Sequence, residues 1–345
     1  MNFKISVIIP FFNSNKDIIG SDEYFALFSF EKCLSAIFKS KYKKYEVITV
    51  SDSSNQQSIN IAKKYSCKIV KLKKNSGSGN ARNKGASLAT GQILLFFDSD
   101  VEVKEDALEI INKRYKSSKD VALQGVYSHE PNYKSHTTQY FQSYYCYYLF
   151  SATEKHKYTE SLCTNIFSIK KDVFFKLDGF FSKTTTASSE DEEFGFKLIK
   201  NGYKIPIEKK LNTIHNTNFG LWPGIKRIVR LQTGQMKMFL RNKTILMKAR
   251  QSNYHSVFFG VILISCILAL LIGNYFYSVP YFFDIFLLLN LLFISIHFKF
   301  LKFIYFSKGF LSACRAIMYS YLHRFLFVYC ICFGIIDFYF FRNKY

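Results

Sequence analysis

The chain has 345 residues, a net charge of +22 and 49% hydrophobic residues, and both charge and hydrophobicity are unevenly distributed. Its eight cysteines are scattered without the paired spacing of zinc ligands, so we expect reduced thiols and no zinc site. After Glu208 the chain carries 17 lysines and arginines against two acids, beside long apolar runs. This placement favours an anionic membrane surface over a nucleic acid as the partner of the positive charge.

Strand-like and helix-like segments alternate through the first part of the chain. Short apolar runs typical of buried strands occur at 5–10, 45–52, 67–72, 93–97 and 120–127. Segments with helical spacing of apolar residues lie between them, at 29–42, 58–66 and 105–118, and a Gly-rich loop that enters a helix lies at 74–91. The alternation predicts an α/β fold with a doubly wound, mostly parallel sheet.

Two carboxylates one residue apart, Asp98 and Asp100, end the strand predicted at 93–97. In open α/β sheets ligands bind at the carboxyl ends of strands, and residues i and i+2 of an extended chain point the same way. Adjacent carboxylates repel each other, and a divalent cation relieves that repulsion. Magnesium typically takes one or two protein carboxylates and completes its shell with substrate phosphates and water. Taken alone, the tripeptide is more typical of a solvated turn that closes a strand.

A basic segment, 221–252, follows the α/β part. Between Ile225 and Arg250 it contains no acid, and its cations interleave with apolar residues, as in an amphipathic helix lying in a membrane interface. The alternative is a solvated basic helix packed on the soluble domain. We expect five cations of this segment to face an anionic leaflet of the membrane, namely Lys226, Arg227, Arg230, Lys237 and Arg241. For Arg230, contact with an acceptor phosphate is the alternative.

The region from 253 to 345 is predicted to lie in a membrane. Residues 254–276 contain no Asp, Glu, Lys or Arg and residues 279–298 only one acid, and both stretches are long enough to cross a bilayer. A third apolar stretch, 325–341, contains Asp337 and either crosses or re-enters. Basic residues after the second stretch place that segment on the cytoplasmic side by the positive-inside rule.

Polar clusters at the predicted strand ends, in their order along the chain, resemble glycosyltransferase family 2, whose catalytic domain has the GT-A fold. The matching segments are SVIIPFFN at the first strand, EVITVSDSSNQ at the second, and the Gly-rich NSGSGNARNKG. The family's D-x-D matches Asp98 and Asp100, and its later E-D pair matches Glu190 and Asp191. The resemblance covers about residues 4–235 and implies a Rossmann-like GT-A catalytic domain over 1–220. The chain departs from the family at Ser51, where an acid is often found.

The resemblance implies an inverting transfer of a sugar from a nucleotide-diphosphate donor, with Mn²⁺ or Mg²⁺ as cofactor. It implies Asp191 as the catalytic base and Asp100 as a metal ligand, with His215 as a further candidate ligand. Five residues are expected to bind the donor. The resemblance implies that Pro10 and Phe12 wall the base and that Asp52 contacts it. It implies that Arg82 contacts a phosphate or the ribose and that Asp98 contacts the ribose or the donor sugar. Asn165 and Glu190 are expected on the acceptor side. The remaining acids of this element, Glu192 and Glu193, are expected to form a solvated helix start, favoured by the helix dipole.

We therefore expect a multi-pass membrane glycosyltransferase whose catalytic domain is cytoplasmic, in the inner or plasma membrane of a bacterium. The expected substrates are a UDP-sugar and a lipid-linked or membrane-proximal acceptor, in cell-surface polysaccharide or glycolipid synthesis. Direct transfer to a polyprenyl phosphate is the alternative within this class. A non-catalytic basic membrane scaffold would have no need for acids at the family's spacing. A nucleic-acid-binding protein would spread its cations among stacking aromatics over the folded domain, which this chain does not do.

Overall fold

The structure is a computed structural model that describes residues 2–12, 23–129, 133–155, 157–159, 162–182, 189–242 and 254–341. Its strands are β1 (Ile5–Phe11), β2 (Tyr45–Ser51), β3 (Lys68–Lys71), β4 (Ile93–Phe97), β5 (Val101–Val103), β6 (Ala122–Tyr127), β7 (Tyr158–Thr159), β8 (Ile166–Lys170) and β9 (Ile205–His215). Its helices are α1 (Glu23–Phe38), α2 (Gln56–Lys63), α3 (Ser78–Ser87), α4 (Ala107–Ser117), α5 (His136–Lys155), α6 (Lys171–Lys176), α7 (Glu190–Lys200), α8 (Leu221–Arg241), α9 (Tyr254–Tyr277), α10 (Phe282–Lys308) and α11 (Phe310–Tyr339).

The strands form a mixed sheet in the order β3-β2-β1-β4-β8-β6-β9-β5, with β7 pairing with β9. The four strands from β3 to β4 are parallel, as predicted. Beyond β4 the sheet departs from the mostly parallel prediction, because β8 runs antiparallel to both of its neighbours and β5 runs antiparallel to β9. An apolar run in the sequence indicates that a strand is buried, but it does not indicate in which direction the strand pairs.

The central strands are buried on both faces, which explains their uninterrupted apolar sequences. Along β1, Val7 and Ile9 pack into the cluster that includes the apolar face of α1. Ile8 points the opposite way, into the cluster built from α3, α6 and α7. Helix α3 lies so close to β1 that a Cβ atom at Gly85 would be only 2.5 Å from the Cγ2 atom of Ile8. A glycine is therefore required at position 85, where α3 packs against β1.

Three C-terminal helices are long and apolar enough to cross a membrane, over Ser256–Tyr277, Phe282–Lys308 and Phe310–Tyr339. The stretch predicted at 254–276 lies within α9, and the stretch predicted at 279–298 lies within α10 except for its first three residues. The stretch predicted at 325–341 lies mostly within a 30-residue helix, α11. The basic segment between the second and third stretches is therefore helical in its larger part, and more of α11 than of α9 or α10 is buried inside the protein.

Helices α10 and α11 pack on the α/β part as well as on each other. An apolar cluster joins Tyr140 of α5 and Ile228 of α8 to Phe300 and Ile304 of α10 and Ala316 of α11. A second cluster, which includes Ile264 and Phe293, holds α9 against α10. The α/β part and the apolar helices α10 and α11 thus pack together through α5 and α8.

The prediction that the cations of the basic segment face a leaflet is wrong for Lys237 and Arg241. Lys237 is buried and its Nζ atom lies 2.6 Å from Oδ2 of Asp337, and Arg241 pairs with Glu193 at 2.9 Å. These cations are neutralised by acids from two other helices, which no local pattern reveals. Lys226 and Arg230 are exposed, so a contact with a leaflet stays a prediction for them. Residues 243–252 of the predicted segment lie outside the described residues.

Candidate active site

Arg82 is the centre of a buried charge network at the carboxyl edge of the sheet. Its Nη2 atom lies 2.6 Å from Oδ1 of Asp98, and its Nη1 atom lies 2.8 Å from Oε1 of Glu190. Burial alone would lower the pKa of Arg82, but the two carboxylates raise it above its usual value. The contacts join α3, the end of β4 and the start of α7. Arg82 is only 4% exposed and its guanidinium is engaged by carboxylates. The sequence predicted a contact of Arg82 with the donor, but in the structure this side chain holds carboxylates in place and is not accessible to a phosphate.

The loop before α3 is held by Asp52. The backbone N–H groups of Ser76 and Gly77 donate to the two carboxylate oxygens of Asp52, at 2.7 and 2.8 Å. Gly77, the N-cap residue directly before α3, has a φ of 85°, a conformation that favours glycine. Burial raises the pKa of Asp52, although both amides act against this shift. These contacts assign Asp52 to the loop, and its contact with a nucleotide base stays a prediction.

Of the two residues predicted to wall a base, only Phe12 is accessible. Pro10 lies within β1, buried and opposite Val50 of β2. Phe12 directly follows the strand and is 43% exposed. Phe12 can therefore present a ring face at this edge, whereas the prediction for Pro10 is wrong because Pro10 lies in a strand that is buried on both faces.

Asp191 lies in the first turn of α7, next to Thr164. The Oδ2 atom of Asp191 is 3.3 Å from the backbone N of Thr164 and 3.5 Å from the Oγ1 atom of Thr164. The same Oγ1 atom is 3.4 Å from Oδ1 of Asp98. Burial and the neighbouring Glu190 raise the pKa of Asp191 to about 7, with Arg82 acting in the opposite direction. A carboxylate with this pKa is suited to accept a proton near neutral pH. The sequence indicated no role for Thr164, since an isolated threonine before a strand has no distinctive pattern.

The pairing of β5 with β9 brings Asp100 to His215. Val101 pairs with His215 in the antiparallel ladder, and Oδ2 of Asp100 lies 3.0 Å from Nε2 of the imidazole. The imidazole ring stacks on Tyr127, with the ring centroids 5.2 Å apart. Burial alone would raise the pKa of Asp100, but the neighbouring His215 outweighs it and holds the pKa below its ordinary value. Two residues predicted as metal ligands are thus brought together.

The other imidazole nitrogen fixes the chemistry of this pair. Nδ1 of His215 lies 3.1 Å from Oε1 of Gln142, and an amide oxygen can only accept a hydrogen bond. In a neutral imidazole the lone pair is then on Nε2 and faces the carboxylate of Asp100. Two facing acceptors are stabilised by a shared cation or by a proton on the ring. Gln142, on α5, was not indicated by the sequence because it lies 73 residues away along the chain.

The donor atoms of this pair fit an incomplete site for a divalent cation. Within the described ranges, no group of three His, Cys, Asp or Glu side chains is arranged to hold a metal ion. One carboxylate and one imidazole leave most of the coordination shell to other ligands. Mg²⁺ commonly takes the remaining ligands from substrate phosphates and water. The residues present therefore fit a cation that a bound diphosphate would complete.

The two residues predicted on the acceptor side are directed into the protein. Asn165 is fully buried, donates to Oγ1 of Thr213 at 3.1 Å and accepts from Gln124 at 3.0 Å. Glu190 is 6% exposed and, besides Arg82, accepts a hydrogen bond from the hydroxyl of Ser78. The acceptor-side prediction is therefore wrong for Asn165, and Glu190 instead supports Arg82.

The acids that follow Asp191 dock α7 onto α8. Nε2 of Gln235 donates to Glu192 at 2.8 Å, and Arg241 donates to Glu193 at 2.9 Å. Burial and the neighbouring Asp191 raise the pKa of Glu192 to about 8. The expectation of a solvated helix start is wrong, because α8 covers this turn.

Comparison with known proteins adds family information to this geometry. Residues 6–175 match the model described as Glycosyl transferase family 2. Over 119 residues the chain is 31% identical to a cholesterol galactosyltransferase of Borreliella burgdorferi, covering 33% of this chain and 30% of that protein. Over 134 residues it is 31% identical to the poly(ribitol-phosphate) beta-N-acetylglucosaminyltransferase TarS of Staphylococcus aureus, covering 36% and 21%. The chain thus spans less than a third of the length of these relatives.

A solved structure resembles nearly the whole chain. The mannosyltransferase PcManGT from Pyrobaculum calidifontis, in complex with GDP-Man and Mn²⁺, matches with a TM-score of 0.58. The match covers 99% of this chain and 89% of that chain at 14% sequence identity. At this identity the likeness shows a shared fold.

Proposed function

Residues 6–175 belong to glycosyltransferase family 2, and from that membership we propose that the protein is a membrane-anchored, inverting, metal-dependent glycosyltransferase. We propose a catalytic domain over 1–220, a connecting segment over 221–252 and a membrane region over 253–345. The observation that carries the proposal is the convergence of Asp98, Arg82 and Asp191 at one edge of the sheet, beside the pair formed by Asp100 and His215.

The proposed reaction transfers a sugar with inversion at its anomeric carbon. Asp191 takes the proton of an acceptor hydroxyl, and the acceptor oxygen forms a bond to the anomeric carbon. The bond from that carbon to the diphosphate breaks, and the nucleoside diphosphate leaves with the electron pair. The pKa of about 7 supports Asp191 as the base, because such a group is partly ionised at neutral pH and still basic enough to accept a proton.

We propose that Phe12 and Asp98 contact the donor. The exposed ring of Phe12 is available for stacking on a base, and the ion pair with Arg82 holds Asp98 for a contact with ribose or the transferred sugar. A UDP-sugar is the proposed donor. GDP-mannose is the second donor to be tested, because the solved neighbour was obtained with GDP-Man.

Asp100 and His215 are the proposed ligands of Mn²⁺ or Mg²⁺. When bound, the cation would neutralise the negative charge that develops on the diphosphate leaving group. The protein's own contribution is orientation, since Gln142 and Tyr127 hold the imidazole from two sides. The neighbour solved with Mn²⁺ supports the choice of cation.

The proposed acceptor is a lipid-linked or membrane-proximal glycan in cell-surface synthesis. Two of the three apolar helices, α10 and α11, pack directly on the α/β part, which supports an acceptor presented at the membrane. One relative is named for a lipid, cholesterol, and another for a polymer, poly(ribitol-phosphate). We propose a cytoplasmic catalytic domain at a bacterial inner or plasma membrane, on the basis of the charge asymmetry and the bacterial relatives.

The full-length protein in detergent or nanodiscs provides the test. A panel of UDP- and GDP-sugars is screened with Mn²⁺, with Mg²⁺ and with EDTA, and both thermal stabilisation and release of nucleoside diphosphate are measured. We expect one donor to stabilise the protein and to be turned over only with metal. If no nucleotide sugar stabilises the protein or is turned over under any condition, the proposed function is wrong.

A further inference from the structure

We propose that α8 couples the membrane helix α11 to α7, and that Lys237 and Asp337 are positioning residues for the acid at the start of α7. Helix α7 carries Glu190 and Asp191 in its first turn. The catalytic meaning of this coupling rests on the proposed function, because Asp191 has its role there. The mechanical coupling itself is independent of that role.

One side of α8 holds the first turn of α7. The contacts run from Gln235 to Glu192 at 2.8 Å and from Arg241 to Glu193 at 2.9 Å. The amide of Asn242, directly after the helix, donates to the same Glu193 at 3.1 Å. Positions 235, 238, 241 and 242 follow helical spacing of three and four residues, so they share a face. Met238, on this face, is completely buried.

The other side of α8 packs on α11. The main polar contact joins Lys237 to Asp337 at 2.6 Å, and Gln232 lies 2.8 Å from Nε2 of His323. The helices approach closely, since a Cβ atom at Gly334 would meet the Cβ and Cγ atoms of Met236 at 3.0 Å. Small residues permit this kind of close contact between helices in membranes. Positions 229, 232, 233, 236 and 237 again follow helical spacing, on the face opposite to the one that holds α7.

The ion pair makes the α8–α11 contact sensitive to the distance between the two helices. The Lys237 and Asp337 side chains are only 8% and 14% exposed, so neither charge has much access to water. Removing one partner takes this counter-charge away from a buried group, which is more disruptive than removing both partners. The separation between the two helices is therefore determined by the pair together with the close contact at Gly334.

The first turn of α7 connects the position of α8 to the candidate active site. Glu192 and Glu193, which α8 holds, directly follow Glu190 and Asp191, which face the site. Any shift of α8 relative to the sheet would therefore move Asp191 away from Thr164 and Glu190 away from Arg82. Displacements of about 1 Å remote from the chemistry can reduce rates by about 10²-fold. A membrane helix would thus be part of the catalytic scaffold, beyond its use as an anchor.

The test uses three variants of the full-length protein: Lys237→Met, Asp337→Asn and the double variant. Hydrogen exchange of residues 190–200 is measured first, because this readout needs no enzymatic activity. We expect each single variant to raise exchange in this segment by about tenfold, and the double variant to return most of the way to the wild-type rate. Tyr321→Phe is the matched control, since it removes a 2.6 Å hydrogen bond to Asn290 within the membrane helices and does not touch α8.

Kinetics with the donor identified by the screen provide the second readout. We expect the single variants to lower kcat by about ten- to 10²-fold while the donor KM stays within about twofold, with recovery in the double variant. Unchanged exchange in 190–200 in both single variants would overturn the coupling. So would an equal effect of Tyr321→Phe, or a double variant no better than the singles. A wild-type protein without transferase activity would refute the proposed function but would leave the exchange result to decide the coupling.

Discussion

Nε2 of His215 lies 3.0 Å from Oδ2 of Asp100, although the two residues are 115 positions apart. The antiparallel ladder between β5 and β9 produces this contact. It turns an acid at the end of one strand and a histidine at the end of another into a two-ligand pair. The predictions that follow test this pair, the acid of α7 and the charge network that joins them to the sheet.

Asp100→Asn is expected to abolish metal-dependent turnover while the protein remains folded, because the pair loses its only charged ligand. Manganese binding is measured by calorimetry or by thermal stabilisation in the presence of donor. Retention of wild-type activity and metal dependence in this variant would show that Asp100 is not a ligand.

Gln142→Ala is expected to weaken Mn²⁺ binding by about 10- to 100-fold, the usual effect of removing a partner that orients a metal-binding histidine. The cause is the loss of the 3.1 Å contact with Nδ1 of His215. Gln139→Ala is the control, since Gln139 is on the same helix but lines a separate small cavity. Equal effects of the two variants would point to a general disturbance of α5.

Asp191→Asn is expected to lower kcat by about two to four orders of magnitude and to leave donor affinity nearly unchanged. In the wild-type enzyme, kcat/KM should rise with pH and level off above pH about 7, since the ionised form of Asp191 is the base. Asp178→Asn, at an acid whose side chain is 89% exposed, serves as the control. A raised donor KM with unchanged kcat would place Asp191 in donor binding instead.

Arg82→Met is expected to destabilise the protein by about 3–5 kcal/mol, because it removes the partner of the half-buried Asp98 and leaves the buried Glu190 without its counter-charge. Their contacts with Arg82 are 2.6 and 2.8 Å, and the Arg82 side chain is only 5% exposed. The double variant Arg82→Met/Glu190→Gln should recover part of this loss in thermal unfolding. Additive effects of the two substitutions would mean that the network is not coupled as its geometry indicates.

Glu192 is expected to make the folded protein less stable as the pH rises. Burial and Asp191 raise its folded-state pKa from 4.5 to about 8, so the folded state holds a proton that the unfolded state has released in this window. Stability therefore falls with pH between about 4.5 and 8. Thermal unfolding of the wild type and of Glu192→Gln is compared across this range. Parallel pH dependences of the two Tm curves would contradict the shift.

The sequence by itself determined the elements that carry the site. Uninterrupted apolar runs predicted β1, β2 and β4, and their parallel pairing brings Asp52 and Asp98 to one edge. The apolar stretches of the three membrane-type helices were predicted for the same reason, since length and lack of charge are local properties, but whether the third stretch crosses or re-enters was left open. Hydrophobic periodicity reports where a segment is buried, and that information is contained within a few neighbouring residues.

Only the tertiary structure decided which charges meet. Lys237 looked like a leaflet-facing cation and Asp337 like an obstacle to crossing, yet they form one buried pair across 100 positions. Asn165 looked accessible beside a motif but is buried by hydrogen bonds to β6 and β9. A charged or polar side chain is equally compatible with solvent and with a distant partner, and the chain must be folded before the partner is present. For this reason the residues were predicted more reliably than their roles.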